Sequence, residues 1–222
     1  MLRKIAVLAS GNGTNLQALI DAINTGFIKN AEINVVISNR KQAYALERAR
    51  NNDIEALWIN SKEFFDCDEY NERILSELKS RGIDLVLLAG YMKVLNWKFA
   101  RDFEGRIMNV HPSLIPAFCG KGFYGNRVHE AVLASGVKIT GATVHFVDEG
   151  IDTGPIILQK AIMVRPDETV ESLKERVLEV EHRLYPLAVK LFCENRLRVI
   201  GKKVIILPQT KQRRRNECQE EL

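Results

Sequence analysis

The stretch "AVLASGNGTNLQALI", residues 6–20, decides how this chain begins. An apolar run breaks into a Gly-Asn-Gly turn and resumes with helical spacing. A loop built to hold a phosphate reads this way. Gly11 and Gly13 permit unusual backbone angles and close approach, and the amides of Gly13, Thr14 and Asn15 would point at an anion from a helix N-terminus. The plainer alternative is a strand-to-helix turn capped by Asn12 or Thr14.

Two nucleotide-binding readings of this loop fail on specific positions. A dinucleotide fingerprint needs a third glycine where Leu16 stands, and a carboxylate after the second strand, which instead ends in Asn39 and Arg40. A nucleoside-triphosphate loop needs Gly-Lys-Ser/Thr, and Thr14-Asn15 is not that.

Outward from the loop, strand-like runs alternate with helical patterns. "KIAVLA" (4–9), "INVVIS" (33–38), "IEALWI" (54–59), "IDLVLLA" (83–89) and "RIMNV" (106–110) are strands. "NLQALIDAINTG", "AYALERARNN", "DEYNERILSELKSRG" and "RVHEAVLASG" are helices, the third closed by Gly82. The nearly continuous apolar run at 83–89 suits a parallel strand covered on both faces. After residue 138 the rhythm changes. "ITGATVHFV" (139–147) and "PIILQKAIMV" (155–164), joined by "DEGIDTG", read as an antiparallel pair. A long helix follows, with Pro186 expected to kink or divide it, and "LRVIGKKVIIL" closes as a hairpin. The fold class is therefore α/β: a doubly wound, mostly parallel sheet with antiparallel C-terminal strands. One domain is expected over residues 1–208, with halves at about 1–100 and 101–208, and a disordered tail over 209–222.

Composition narrows the classes. At 222 residues, 46% hydrophobic and 27% charged, the chain has the make-up of a soluble globular protein. The net charge of +4 draws on Arg213, Arg214 and Arg215 in the tail, so no folded basic stripe for nucleic acid is visible. Cys67, Cys119, Cys193 and Cys218 show neither zinc-site nor disulfide spacing. No apolar stretch nears the ~20 residues of a membrane span, and the basic, briefly apolar start reads as a buried strand. The cytoplasm is the expected compartment.

A second informative stretch is "MNVHPSLIPAF", 108–118, at the C-terminal end of a parallel strand, where open α/β sheets place their sites. Asn109 and His111 are two apart and so point the same way. An amide and an imidazole facing one pocket suit an oxyanion, and the imidazole can move a proton. The acidic loop "HFVDEGIDTG" adds Asp148, Glu149 and Asp152, any of which could orient that histidine. Other candidates fall: His129-Glu130 has Leu133 where a zinc protease needs its second His, and no Gly-x-Ser-x-Gly elbow exists. Cys119 reads as a free loop thiol and His145 as a structural strand residue, while His182 is left open.

Together, "SGNGTNLQAL", "LLAGYMKVL", "NVHPSLIPAF", "GATVHFVDEGIDTGPIILQ" and "EHRLYP" resemble the phosphoribosylglycinamide formyltransferases, a branch of the formyltransferase superfamily, over about residues 4–200. The resemblance implies a Rossmann-like formyltransferase fold and formyl transfer from 10-formyltetrahydrofolate to the amine of glycinamide ribonucleotide in purine synthesis. It implies Asn109, His111 and Asp152 as the catalytic trio. It matches Gly13, Thr14 and Asn15 to the substrate's phosphate loop and Glu181 to the residue holding its ribose or glycinamide end. Met92, Lys93, Val94, Leu95 and Asn109, with the loop Asp148, Glu149, Gly150, Ile151 and Asp152, match the folate pocket. No metal is required, and the implied partners are the two small molecules, with no nucleic acid or membrane; the chain would be a monomer or homodimer. One departure stands out: some relatives carry a basic residue for the folate glutamate tail where this chain has Asp66, Cys67 and Asp68, leaving Lys62 or Lys93 to compensate. A formyltetrahydrofolate hydrolase is the nearest rival; such proteins usually carry an added N-terminal domain, and with a first strand at residue 4 none is expected here. The loop from Ala117 to Gly125 carries Gly120, Gly122 and Gly125, the residues that mobility over a substrate would need, and the sequence leaves open whether it closes.

Overall fold

The computed structural model describes residues 2–209. The tail arginines, Cys218 and nearly all of the segment expected to be disordered lie outside the described residues. Among the described residues nine strands form one sheet in the order β3-β2-β1-β4-β5-β6-β7-β9-β8. Strands β1 (Arg3–Leu8), β2 (Ala31–Ser38), β3 (Glu55–Trp58), β4 (Leu85–Leu88) and β5 (Ile107–His111) run parallel. Strands β6 (Ile139–Phe146) and β7 (Ile156–Met163) add antiparallel, and the hairpin β8 (Leu197–Ile200) and β9 (Lys203–Ile206) completes the edge.

The apolar runs are continuous because both faces of the parallel strands are covered. In β1, Ile5 and Val7 face one hydrophobic layer while Ala6 and Leu8 face the other. Period-2 alternation then leaves no solvent side to mark with polar residues. The first layer is closed by helices α1 (Thr14–Asn24), α2 (Tyr44–Arg50), α5 (Asn126–Ala134) and α6 (Val170–Cys193). The second is closed by α3 (Cys67–Ser80) and α4 (Trp97–Asp102). Gly82 follows α3 at φ 62°, the left-handed geometry that lets the chain leave a helix.

One of the two outcomes expected at Pro186 is corrected. Helix α6 runs unbroken through Pro186 instead of dividing there. Leu184, Tyr185, Ala188 and Val189 pack on the sheet around the proline, and the Tyr185 hydroxyl donates to the carbonyls of Leu88 at 3.1 Å and Met108 at 2.9 Å. Such anchoring offsets the hydrogen bond that proline cannot donate. Helix α4 has no periodic signal in the sequence; its mark is Asn96, whose side chain caps the helix by accepting from the Phe99 amide at 2.9 Å. Among the described residues no helix is long and apolar enough to cross a membrane.

Strand order reverses between β1 and β4, so a crevice opens beyond their C-terminal ends. Ser10 knits that rim: its hydroxyl donates to Asn39 Oδ1 at 2.6 Å and accepts from the Met92 amide at 2.9 Å.

Candidate active site

A cavity of about 770 Å³ lies at this rim, and Asn109, His111, His145 and Asp152 all line it. Strand β5 presents Asn109 and His111 on one face, as their spacing requires, while Met108 and Val110 turn into the core. The antiparallel register sets His145 opposite Asn109 and Thr143 opposite His111. Thr143 steadies the chain leaving β5: its hydroxyl donates to the Ser113 carbonyl at 2.7 Å and accepts from the Ile115 amide at 3.1 Å.

The hydrogen bonds assign the histidine tautomers. His111 Nε2 lies 2.9 Å from the Phe118 carbonyl and His145 Nδ1 lies 2.8 Å from the Phe146 carbonyl. A carbonyl can only accept, so both of these nitrogens carry hydrogen. In the neutral rings His111 Nδ1 and His145 Nε2 are then lone pairs. Asn109 Nδ2 donates to the latter at 3.2 Å, which fixes the orientation of its amide. Asp152 bridges the two rings, with Oδ2 3.5 Å from His111 Nδ1 and Oδ1 3.6 Å from His145 Nε2. It occupies left-handed backbone geometry at φ 58°, and its Oδ2 accepts from the Gly120 amide at 2.9 Å.

Burial is the dominant electrostatic fact. His111 is 4% exposed. Desolvation pushes its pKa down, against the upward pull of Asp152 and of the bond to Phe118. Desolvation would raise Asp152, but the neighbouring His145 and His111 rings and the hydrogen bond from the Gly120 amide outweigh it and hold the carboxylate low. The site thus pairs an ionised carboxylate with an imidazole that gives up a proton readily. His145, which the alternation pattern assigned to structure, stands between Asn109 and Asp152. The β5–β6 register brings it there, and no local motif encodes that register.

Most of the remaining predicted wall is also here. Met92, Lys93, Val94, Leu95, Asp148, Gly150 and Ile151 line the cavity; Glu149 does not, and faces a separate cavity behind its loop. Lys62 and Lys93 both reach this cavity, with Arg40 and Lys121, and among the described residues none of the four has an ion-pair partner. Asp66 is occupied elsewhere, capping α3 through the Glu69 amide at 2.8 Å, and Asp68 accepts from Asn96 at 2.7 Å.

The glycine loop sits next door. Ser10, Gly11 and Asn12, with Lys41 and Tyr44, line an adjoining cavity of about 530 Å³, and Arg40 borders both spaces. Gly13 is the N-cap of α1 at φ 71°, and no side chain caps the helix, so neither Asn12 nor Thr14 fills that role. Arg48 braces the loop, donating to the Asn12 carbonyl at 2.8 Å and to Gln17 Oε1 at 3.1 Å. Asn15 and Glu181 meet across 166 residues: Asn15 Nδ2 donates to Glu181 Oε2 at 2.7 Å. Gly13, Thr14, Asn15 and Glu181 line neither cavity; Glu181 is buried, and desolvation lifts its pKa to about 7 despite the Asn15 hydrogen bond.

Known proteins share this architecture and sequence. Residues 3–189 match the family model described as Formyl transferase. The chain is 42% identical over 198 residues to the phosphoribosylglycinamide formyltransferase of Haemophilus influenzae, covering 89% of this chain and 91% of that one. It is 42% identical over 188 residues to the trifunctional purine biosynthetic protein adenosine-3 of Homo sapiens, covering 85% of this chain and 18% of that larger protein. The crystal structure of glycinamide ribonucleotide transformylase 1 from Symbiobacterium toebii superposes with a TM-score of 0.88 at 44% identity, over 93% of this chain and 95% of the other.

Proposed function

The chain belongs to the formyl transferase family, and from that premise we propose that it moves the formyl group of 10-formyltetrahydrofolate to the amino group of N1-(5-phosphoribosyl)glycinamide. The products are formylglycinamide ribonucleotide and tetrahydrofolate, a step of purine synthesis. The observation that carries the reading is the convergence of Asn109, His111 and Asp152 in one cavity that adjoins a glycine loop at an uncapped helix N-terminus. A phosphorylated amine and a bulky formyl donor need two such neighbouring spaces.

In this reading the folate pterin lies against Met92–Leu95 and the 148–152 loop, and the substrate phosphate meets the start of α1. The amine attacks the formyl carbon, and the carbonyl oxygen becomes an oxyanion beside the Asn109 amide and the His111 imidazolium. The attacking nitrogen then sheds a proton, which Asp152 relays through water, while the departing folate nitrogen takes one from His111. Asp152 keeps His111 able to hold that proton, since its carboxylate faces Nδ1 and favours the charged ring. Lys62 and Lys93, which have no ion-pair partner among the described residues, are suited to the carboxylates of the folate tail, in place of a basic residue at 66–68. Residues 1–208 act as one unit in this scheme, consistent with their single sheet. The cytoplasm is the proposed compartment, in keeping with the free thiols of Cys67, Cys119 and Cys193.

A folate absorbance assay tests the reading. The protein receives 10-formyltetrahydrofolate with and without glycinamide ribonucleotide. Deformylation that requires the ribonucleotide is the expected result. Deformylation without it would make the protein a hydrolase, and none at all would leave a binding module.

A further inference from the structure

We infer that Lys202, on the turn of the C-terminal hairpin, is a positioning residue for the formyl donor: it is the strut that holds the 148–153 wall of the large cavity in its binding shape. The inference rests on the reading of that cavity as the folate pocket.

The wall is thin. Val147, Asp148 and Gly150 line the 770 Å³ cavity on one side and a second cavity of about 830 Å³ on the other. The second space is bounded by the end of α4 and by Val199, Gly201 and Lys202 of the hairpin. With open space behind the loop, dispersion and burial contribute little to holding it in place. Hydrogen bonds must.

They converge on Asp148. Its Oδ1 accepts from the Gly150 amide at 3.1 Å and from the Thr153 hydroxyl at 2.5 Å. Its Oδ2 accepts from Lys202 Nζ at 2.8 Å, and the same ammonium donates to the Thr153 carbonyl at 2.9 Å. One cation therefore grips both ends of the turn across the rear space. Burial opposes ionisation of Asp148, yet the bonds from Lys202, Thr153 and Gly150 prevail and lower its pKa. The turn is tight enough to need this grip: a Cβ on Gly150 would lie 2.1 Å from Thr153 Oγ1, and Asp152 holds its left-handed φ of 58° within the same turn.

Lys202 is delivered by the hairpin. Ile156 pairs with Lys203, which docks β9 beside the start of β7, and Gly201 turns the chain at φ 58° just before Lys202. The hairpin lies beyond residue 189, where the match to the family model ends. Charge works in the same direction. Asp148, Glu149 and Asp152 make the loop acidic, so the ammonium also lowers the repulsion among these carboxylates at the wall. The Lys202 side chain is 71% exposed, which keeps the expected effect modest.

The experiment compares Lys202→Met and Lys202→Arg with the wild-type enzyme in steady-state kinetics, hydrogen exchange and thermal unfolding. Lys202→Met should raise KM for the formyl donor about three- to fivefold, the range an exposed ion pair supports. KM for the ribonucleotide and the unfolding midpoint should hold, amides 149–153 should exchange faster, and Lys202→Arg should restore the donor KM. A donor KM that ignores Lys202, an unchanged exchange rate, or a parallel rise in both KM values with a lower midpoint each overturns the inference. Wild-type protein that uses no formylfolate would bring down the functional reading as well; a folate-competent protein with an indifferent Lys202 overturns the strut alone.

Discussion

The Asp152 carboxylate lies 3.5 Å from His111 Nδ1, on the far side of a ring whose Nε2 is already committed to the Phe118 carbonyl. A second proton on this imidazole can sit only on Nδ1, facing Asp152. The carboxylate therefore sets how readily His111 becomes a cation, against the desolvation that pushes its pKa down. Asp152→Asn removes the opposing pull, so His111 should titrate at still lower pH and turnover should fall about 10²- to 10⁴-fold. Ring-proton NMR across a pH series, read beside kcat, checks both; a His111 titration that does not move would refute the coupling.

Asn109→Ala and His111→Ala should each lower kcat by about 10²- to 10³-fold, as loss of an oxyanion donor does. Circular dichroism should still report a folded protein. If His111→Ala unfolds instead, the imidazole serves the fold more than the reaction.

His145 sets the Asn109 amide through its Nε2 lone pair. His145→Gln should reduce kcat by roughly tenfold, and its effect should largely vanish in an Asn109→Ala background, because residues in one hydrogen-bonded network do not add. Full additivity in that double-mutant cycle would show the two side chains to be independent.

Glu181 makes a pH prediction with a definite sign. Burial lifts its pKa from 4.5 to about 7, so between those values the folded protein holds a proton that the unfolded chain releases. Stability must then fall as pH rises through that window. Glu181→Gln, which keeps an acceptor for Asn15, should match wild type below pH ~4 and exceed it at pH ~8 by up to about 3 kcal/mol. Denaturant melts at the two pH values decide it, and a variant weaker than wild type at the higher pH counts against the buried, protonated carboxyl.

Gly13 and Gly11 should behave differently although they share one motif. A Cβ on Gly13 would lie 2.8 Å from Ala45 Cα and Cβ, at a φ of 71°. Gly13→Ala should cost about 2 kcal/mol and weaken ribonucleotide binding. A Cβ on Gly11 would meet nothing within 4 Å, and its φ is not positive, so Gly11→Ala should leave unfolding nearly unchanged. Equal melting curves for the two variants would undo this account of the turn.

Much of this architecture was legible in the chain because its causes are local. The continuous apolar runs of β1 and β4 marked strands covered on both faces, the switch to "ITGATVHFV" and "PIILQKAIMV" marked the antiparallel edge, and two-residue spacing put Asn109 and His111 on one side. Where local expectation and structure part, the deciding contact is distant. Pro186 looks like a break because local propensity says so, and packing of α6 on the sheet overrides it. Helix α4, two turns at most, is carried by one capping asparagine rather than by periodicity.

Local chemistry alone determined which residues can carry charge or protons, which turns need glycine, and which faces each strand must bury. Tertiary structure decided their partners. Strand register put His145 against Asn109, the packing of α6 on α1 brought Glu181 to Asn15, and the docked hairpin carried Lys202 to Asp148. The physical reason is the same in each case: a side chain's type and direction follow from a few neighbouring residues, whereas its partner depends on how segments 36 to 166 residues apart pack together.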